Sequence, residues 1–357
     1  MNNKKLLFVY LIVTVLLFSC SIKNKILVAV AKKTIESNLS ANPIAKLPDG
    51  LHVVLCGTGS PFPDEKRMGP CTVVFAGQRM FVFDAGTGGS RNISRMKLNN
   101  GNIEALFLTH YHSDHIDGLG ELMLQRWVSV GNSGPLPIYG PQGLDTVITG
   151  IMQAYSLDKN YRISHHGNAT VPSTGFGAIP KSFKLDSATN KIVVLQDKDL
   201  EISSFLVDHS PIEPAVGYKI TYKGRSIVIS GDTKKNTKVL EESKGVDLLL
   251  HEALSPYLVG LIEESAVKVK RPNLQKIMKD IVNYHTSPEE AAEIAREAKV
   301  NTLVFHHIVP PLPTSLLEPI FLGNSKQIFS GKIHIGLDGD IISLPTGSTK
   351  INFSRLL

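Results

Sequence analysis

From residue 51 onward the chain is a succession of short apolar runs, each halted by glycine or a polar cluster, with stretches of helical spacing between them. His52 to Cys56 reads as a strand entering the turn Gly57-Thr58-Gly59-Ser60-Pro61, and Thr72 to Phe75 as a second strand. A tight turn at Gly77-Gln78 leads to a third, Met80 to Phe83, and Ala105 to Thr109 makes a fourth. Ile116, Leu119, Leu122 and Met123 then recur at helical spacing toward Trp127. After a short strand in Pro135 to Gly140, a helix is predicted from about Leu144 to Tyr155. His165 and His166 are expected as surface histidines of a loop. Three later strands end in polar residues: Phe205 to Asp208 before His209, Ile227 to Gly231 before Asp232, and Thr302 to His306 before His307. Mixed strands and helices over 51–357 predict one α/β catalytic domain.

Two helices of one insertion are legible between His251-Glu252-Ala253 and His285. Tyr257, Leu258, Leu261 and Ile262 mark the first; a basic stretch, Lys268 to Arg271, follows; Leu274, Ile277, Met278 and Ile281 mark the second. This pair is expected either to cap the site or to form a homodimer surface. Beyond it Ser287, Pro288 and Glu290 have the order of an N-cap, a first helical position and a capping box.

The amino terminus has a different texture. Lys4 and Lys5 precede an apolar run from Leu6 to Phe18, shorter than the roughly 20 residues of a spanning helix. Leu17-Phe18-Ser19-Cys20 resembles a bacterial lipobox, so 1–20 is expected to be an export signal with lipidated Cys20, or else an uncleaved anchor. Residues 21–50, with Lys23, Lys25, Lys32 and Lys33, are expected to be a partly helical spacer. The protein is therefore expected outside the cytoplasm and tethered to a membrane.

Composition narrows the classes only a little. A net charge of +6 suits an anionic substrate or a membrane surface, but the cations are scattered, which lends little support to nucleic-acid binding. Three cysteines are too few for a disulfide framework. Cys56 and Cys71 could pair in an oxidising compartment; buried free thiols are the expectation.

The chemistry is concentrated in His110-Tyr111-His112-Ser113-Asp114-His115, directly after the strand Ala105 to Thr109. An extended backbone points His110 and His112 to one side, and Asp114 and His115 sit where the chain turns into a helix. Taken alone the stretch could be a histidine-rich surface turn with Asp114 as a helix cap. With His209, Asp232 and a histidine at 306 or 307, all on strand ends, it supplies the imidazole and carboxylate donors of two divalent ions.

The order of these residues resembles the metallo-β-lactamase superfamily, and more narrowly its ribonuclease Z and arylsulfatase branch. Gly57-Thr58-Gly59-Ser60, His209-Ser210-Pro211 before Gly217-Tyr218, Gly231-Asp232-Thr233, His251-Glu252-Ala253 and His285-Thr286-Ser287 carry the narrower likeness. It implies an αββα four-layer sandwich with the site along one edge of two sheets. By the same resemblance His110, His112 and His209 hold one zinc ion. Asp114, His115 and His307 hold the other, Asp232 bridges them, and His306 is the fallback for His307. Manganese or iron would suit the same donors. Asp114 and His285 are the implied catalytic residues, His285 as general acid beside a hydroxide held between the ions.

The substrate expectation is a small anionic ester, phosphodiester or aryl sulfate. In the tRNA-processing members a long arm is inserted between the positions of His209 and Asp232, whereas here only residues 210–231 separate them, reading as two strands around Lys223-Gly224. Nucleic acid is accordingly set aside as a partner. The alternatives are a ribonuclease Z-like endoribonuclease, a lactone or β-lactam hydrolase, and a non-catalytic metal-binding scaffold.

Overall fold

The computed structural model describes residues 23–357, so the stretch expected to be an export signal, with Cys20, lies outside the described residues. The chain divides into two compact units after Lys46. The first carries a helix over 23–39 with exposed Ile26, Leu27, Val28 and Val30. Among the described residues no helix is long and apolar enough to cross a membrane.

The second unit, Leu47 to Leu357, is built on two sheets. The first contains β1 (Gly50–Gly57), β2 (Cys71–Ala76), β3 (Arg79–Phe83), β4 (Ile103–Phe107), β5 (Leu136–Gly140) and β6 (Ala178–Ser182). The second contains β7 (Lys191–Asp197), β8 (Leu200–Leu206), β9 (Val216–Tyr222), β10 (Arg225–Ile229), β11 (Leu248–Leu254), β12 (Thr302–Val309) and β13 (Lys332–Ile335). β14 (Asp340–Pro345) and β15 (Asn352–Arg355) return to the first sheet, giving it the order β15-β14-β1-β2-β3-β4-β5-β6. The second runs β13-β12-β11-β10-β9-β8-β7. The helices that matter below are α1 (Gly89–Arg95), α2 (Leu119–Val130), α3 (Leu144–Ala154), α4 (Ser156–His166), α5 (Thr237–Ser243), α6 (Pro256–Lys268), α7 (Pro272–Ile281) and α8 (Pro288–Ala298).

The inner faces of the sheets close on one apolar cluster, with Val53, Val74, Phe81 and Phe107 from the first sheet against Val216, Ile220, Ile227 and Val304 from the second. A second cluster places Val239 of α5 and Ala291, Ile294 and Ala295 of α8 on the outer face of the second sheet, against Leu249, Leu303 and Phe305. Helix, sheet, sheet and helix are thus stacked as the αββα reading implies. Tyr218 of β9 ties the sheets together near the site: its ring meets Phe83 and Phe107 edge-on at 5.3 and 5.6 Å, and its hydroxyl donates to Leu108 O at 2.6 Å.

Several local expectations are met by the backbone. Ser287 caps α8 and accepts from Glu290 N–H, while the Glu290 carboxylate accepts from Ser287 N–H at 2.9 Å. The insertion after β11 is the predicted helical pair, α6 and α7. His165 and His166 differ from expectation, since they end α4 rather than lie in a loop; both are exposed.

The cysteines also differ. Cys56 and Cys71 form a disulfide with Cα atoms 5.0 Å apart, not free thiols. The reason is a register shift: β1 and β2 pair Leu55 with Thr72 but Gly57 with Cys71, so Cys56 is an extra residue beside its partner. The bond closes the base of the loop between the two strands, 15 residues in sequence separation. Replacing both cysteines by alanine is expected to lower stability by roughly 2–4 kcal/mol. Chemical denaturation with and without reductant measures it, and identical midpoints for wild-type protein under the two conditions would contradict the expectation.

Candidate metal centre

The site is assembled from strand ends at one edge of the two sheets. β3 and β4 run parallel with Phe83 beside Phe107, which brings the residues after each strand together. Asp84, at φ 57°, follows β3; its carboxylate accepts from Thr109 N–H at 2.9 Å and from Thr109 Oγ1 at 2.9 Å. That clamp fixes the backbone from which His110 and His112 project. A single helical turn, Ser113 to Ile116, then carries Asp114 and His115.

The second sheet supplies the remaining groups. His209 follows β8, Asp232 follows β10, and His307 lies within β12. β11 and β12 are in register up to Glu252 beside His306, after which Ala253 pairs with Ile308. His307 is the extra residue of that bulge, at φ 48°. An unbroken strand would put position 307 on the face of Leu303 and Phe305, among the apolar side chains under α8. The bulge hands that place to Ile308 and turns His307 into the site. His306 is buried with neither ring nitrogen hydrogen-bonded, and it joins none of the donor groups. Of the two candidates, geometry brings His307 to the centre.

All of the sequence-predicted donors converge. His110, His112 and His209 form one group and Asp114, His115 and His307 another, each with its donor atoms within 4.8 Å of one another. Asp232 lies between: its Oδ2 is 3.3 Å from His115 Nε2, 3.2 Å from His307 Nε2 and 3.9 Å from His110 Nε2. His110 Nε2 and His112 Nδ1 face each other at 3.0 Å, and His209 Nε2 is 3.4 Å from the same His112 Nδ1.

The outward nitrogens are held as a metal site requires. His115 Nδ1 donates to Asp84 Oδ2 at 2.9 Å and His209 Nδ1 to Tyr284 O at 2.9 Å, which leaves Nε2 of each ring aimed inward. The inward Nε2 of His115 is buried and without a hydrogen-bond partner. Imidazoles crowded nitrogen to nitrogen around a carboxylate, with the far sides of His115 and His209 tied down, fit a divalent cation.

Electrostatics divides the two groups. Burial, helped by neighbouring imidazoles, pushes His110 well below the ordinary imidazole range and lowers His112 and His209, so these rings are neutral donors. Burial opposes ionisation of Asp232, yet His307 and His115 hold its carboxyl well below the usual carboxylate range.

Two participants escaped the residue pattern. Asp84 is recognisable only as the end of the strand before Ala85-Gly86, and its role needs the parallel register of β3 and β4. Glu252, buried in β11, accepts from His285 Nδ1 at 3.1 Å, from Thr286 N–H at 3.0 Å and from Thr233 N–H at 3.2 Å. The motif His251-Glu252-Ala253 marks its position without stating this task.

A pocket of roughly 220 Å³ opens onto the centre. His112, Asp114, Asp232, His285 and His307 line its polar end. Phe62 from the loop after β1, Ile277 and Ile281 of α7, Tyr284 and Val309 form its apolar wall. The helical insertion therefore caps the site.

Comparison with known proteins places this geometry. Residues 79–308 match the family model described as a beta-lactamase superfamily domain. Ribonuclease Z of Mycolicibacterium gilvum (strain PYR-GCK) is 36% identical over 290 residues, covering 81% of this chain and 94% of that protein. Ribonuclease Z of Mycobacterium avium (strain 104) is 33% identical over 291 residues, covering 81% and 96%. Among solved structures, human tRNase Z, short form, has a TM-score of 0.58 at 22% identity, covering 82% of this chain and 99% of that one. The metallo-beta-lactamase fold protein YhfI from Bacillus subtilis has a TM-score of 0.56 at 19% identity, covering 83% and 100%. The structural likenesses are of fold.

Fold and site together define a metal-dependent hydrolase acting on ester bonds. The chain belongs to the metallo-β-lactamase superfamily and, within it, to the family of its ribonuclease Z relatives.

If the bulge decides the ligand, His307→Ala lowers the bound metal per chain and His306→Ala leaves it unchanged. Elemental analysis of the purified variants checks this; equal metal content in the two would remove the assignment, and loss in His306→Ala alone would reverse it.

Proposed function

We propose that the protein is a ribonuclease Z-like endoribonuclease that cleaves a phosphodiester of RNA. The observation that carries the reading is the Glu252–His285 pair at the polar end of the pocket, where a His285 ring nitrogen lies within 4.8 Å of donor atoms of Asp232 and His307. The absence of an arm between His209 and Asp232 set nucleic acid aside in the sequence. Similarity to relatives named ribonuclease Z over 81% of this chain supports RNA as the first substrate class instead.

In this reading His110, His112 and His209 would hold one divalent cation and Asp114, His115 and His307 the other, with Asp232 a donor available to either. Such ions, when bound, lower the pKa of a water and polarise phosphoryl oxygens. The chain's own residues do the rest. Asp84 and the carbonyl of Tyr284 hold His115 and His209 in the required tautomers. Glu252 fixes His285 through Nδ1 and leaves Nε2 for the pocket. The attacking water gives one proton to the Asp114 carboxylate as its oxygen bonds to phosphorus. The bond to the leaving oxygen breaks, and His285, carrying protons on both nitrogens with Nδ1–H held by Glu252, passes the Nε2 proton to that oxygen.

A second reading, hydrolysis of a small aryl phosphodiester or aryl sulfate, is favoured by the small pocket with Phe62, Ile281 and Tyr284 in its wall. Export through residues 1–20 likewise remains a proposal, supported by the Cys56–Cys71 disulfide, a bond that persists in oxidising compartments.

The test compares the full chain on a tRNA transcript with a single-stranded extension and on bis(p-nitrophenyl) phosphate. Cleavage of the transcript supports the ribonuclease; turnover of the chromogenic diester alone supports the second reading. His285→Ala is expected to lower kcat on RNA by about 10²–10⁴-fold with metal content unchanged. Its loss on the chromogenic diester should be smaller, because p-nitrophenolate departs without a proton. Equal losses on both substrates would remove His285 from the role of acid.

A further inference from the structure

The polypeptide between His209 and Asp232 is a bare hairpin, β9 and β10 around Lys223-Gly224, and offers nothing that reaches out to grip a long substrate. The longest excursion near the pocket is the α6–α7 hairpin instead. α6 leaves from β11 and α7 returns to the pocket, with Leu254, Val259, Met278, Ile281 and Val309 packed together at its root. Its inner end is already part of the site through Ile277 and Ile281.

Its outer end has a distinct chemistry. Lys268, Lys270 and Arg271 crowd the turn between the helices, all exposed, and among the described residues none of them makes an ion pair. Lys276, by contrast, is neutralised by Asp280 one turn on, and Glu263 and Glu264 lie back along α6. A folded hairpin with three cations free of ion pairs clustered at its tip, and exposed Lys279 further along α7 toward the pocket, presents a positive surface beside the entrance to an anion-processing pocket. Arg271 stands at the start of the helix that carries Ile277, so the tip lies about 9 Å along the α7 axis from the pocket wall.

We propose that the α6–α7 tip, Lys268, Lys270 and Arg271, is a landing surface for the phosphate backbone of single-stranded RNA, which α7 then leads into the pocket. This rests on the ribonuclease reading above. It gives the hairpin the work that an arm after His209 cannot do in this chain. Phosphate contacts of this kind position a substrate without reading its sequence. They raise KM when lost and leave the chemical step untouched.

The same tip also bears exposed Val267 and Val269, 53% and 64% accessible, which a membrane surface would welcome. Continuity of the tip with the pocket through α7 favours the substrate, and the experiment includes the membrane as an outcome. Full-chain protein and the variant K268E/K270E/R271E are compared on single-stranded RNA, on bis(p-nitrophenyl) phosphate and in sedimentation with phosphatidylglycerol vesicles. The variant is expected to raise KM for RNA roughly tenfold or more with kcat unchanged. Its dependence of log(kcat/KM) on log salt should be shallower by roughly 2, for three lost phosphate contacts on a single strand. Its rate on the chromogenic diester should match wild type, which also shows the fold intact. RNA kinetics identical to wild type would overturn the inference while leaving the ribonuclease reading standing. Lost vesicle binding with unchanged RNA kinetics would overturn it in favour of a membrane contact. A wild-type protein that turns over the chromogenic diester and cleaves no RNA would overturn both readings together.

Discussion

The carboxylate of Asp232 sits 3.3 Å from His115 Nε2 and 3.2 Å from His307 Nε2, and the architecture depends on keeping those groups, from different sheets, at that spacing. His115 and His307 attract the Asp232 carboxylate, but burying all three groups is costly, and only a stiff frame holds them at that spacing. Two sheets packed face to face give that stiffness. Tyr218 reinforces it near the histidines by joining the second sheet to Leu108 of the first.

Around this centre the chain separates rigid from adaptable parts. Donor residues rise from strand ends and one helical turn, and Asp84 and Glu252 anchor the groups that need orientation. The walls of the pocket come from connections: the loop after β1, stapled by Cys56–Cys71, and the α6–α7 insertion. A metal frame on strands with a specificity wall on insertions lets one fold meet different esters by changing loops alone. The lack of an arm after His209 and the presence of a capping hairpin before His285 belong to that second, variable part.

The likenesses to ribonuclease Z relatives bear on both parts. The family match over residues 79–308 spans the positions from His110 to His307, and with the relatives' similarity over 81% of the chain it supports the hydrolytic class. Which ester enters depends on the pocket wall, to which Ile277 and Ile281 of the α6–α7 hairpin contribute.

While the αββα stacking came from the family resemblance, the sequence pattern by itself determined an α/β domain, the histidine cluster after β4, the partners His209 and Asp232, the capping box of α8 and the two helices between β11 and His285. These are matters of local periodicity and of polar residues at strand ends, which adjacent residues encode. It did not decide between His306 and His307, because a regular strand alternates faces and the β12 bulge that redirects His307 exists only against β11. Nor did it show the disulfide, which follows from the slipped register of β1 on β2, or Asp84 as the holder of His115, which follows from the parallel pairing of β3 and β4. Register between strands is set by how whole sheets pack, and at this site a shift of one residue is the difference between a ligand and a core side chain.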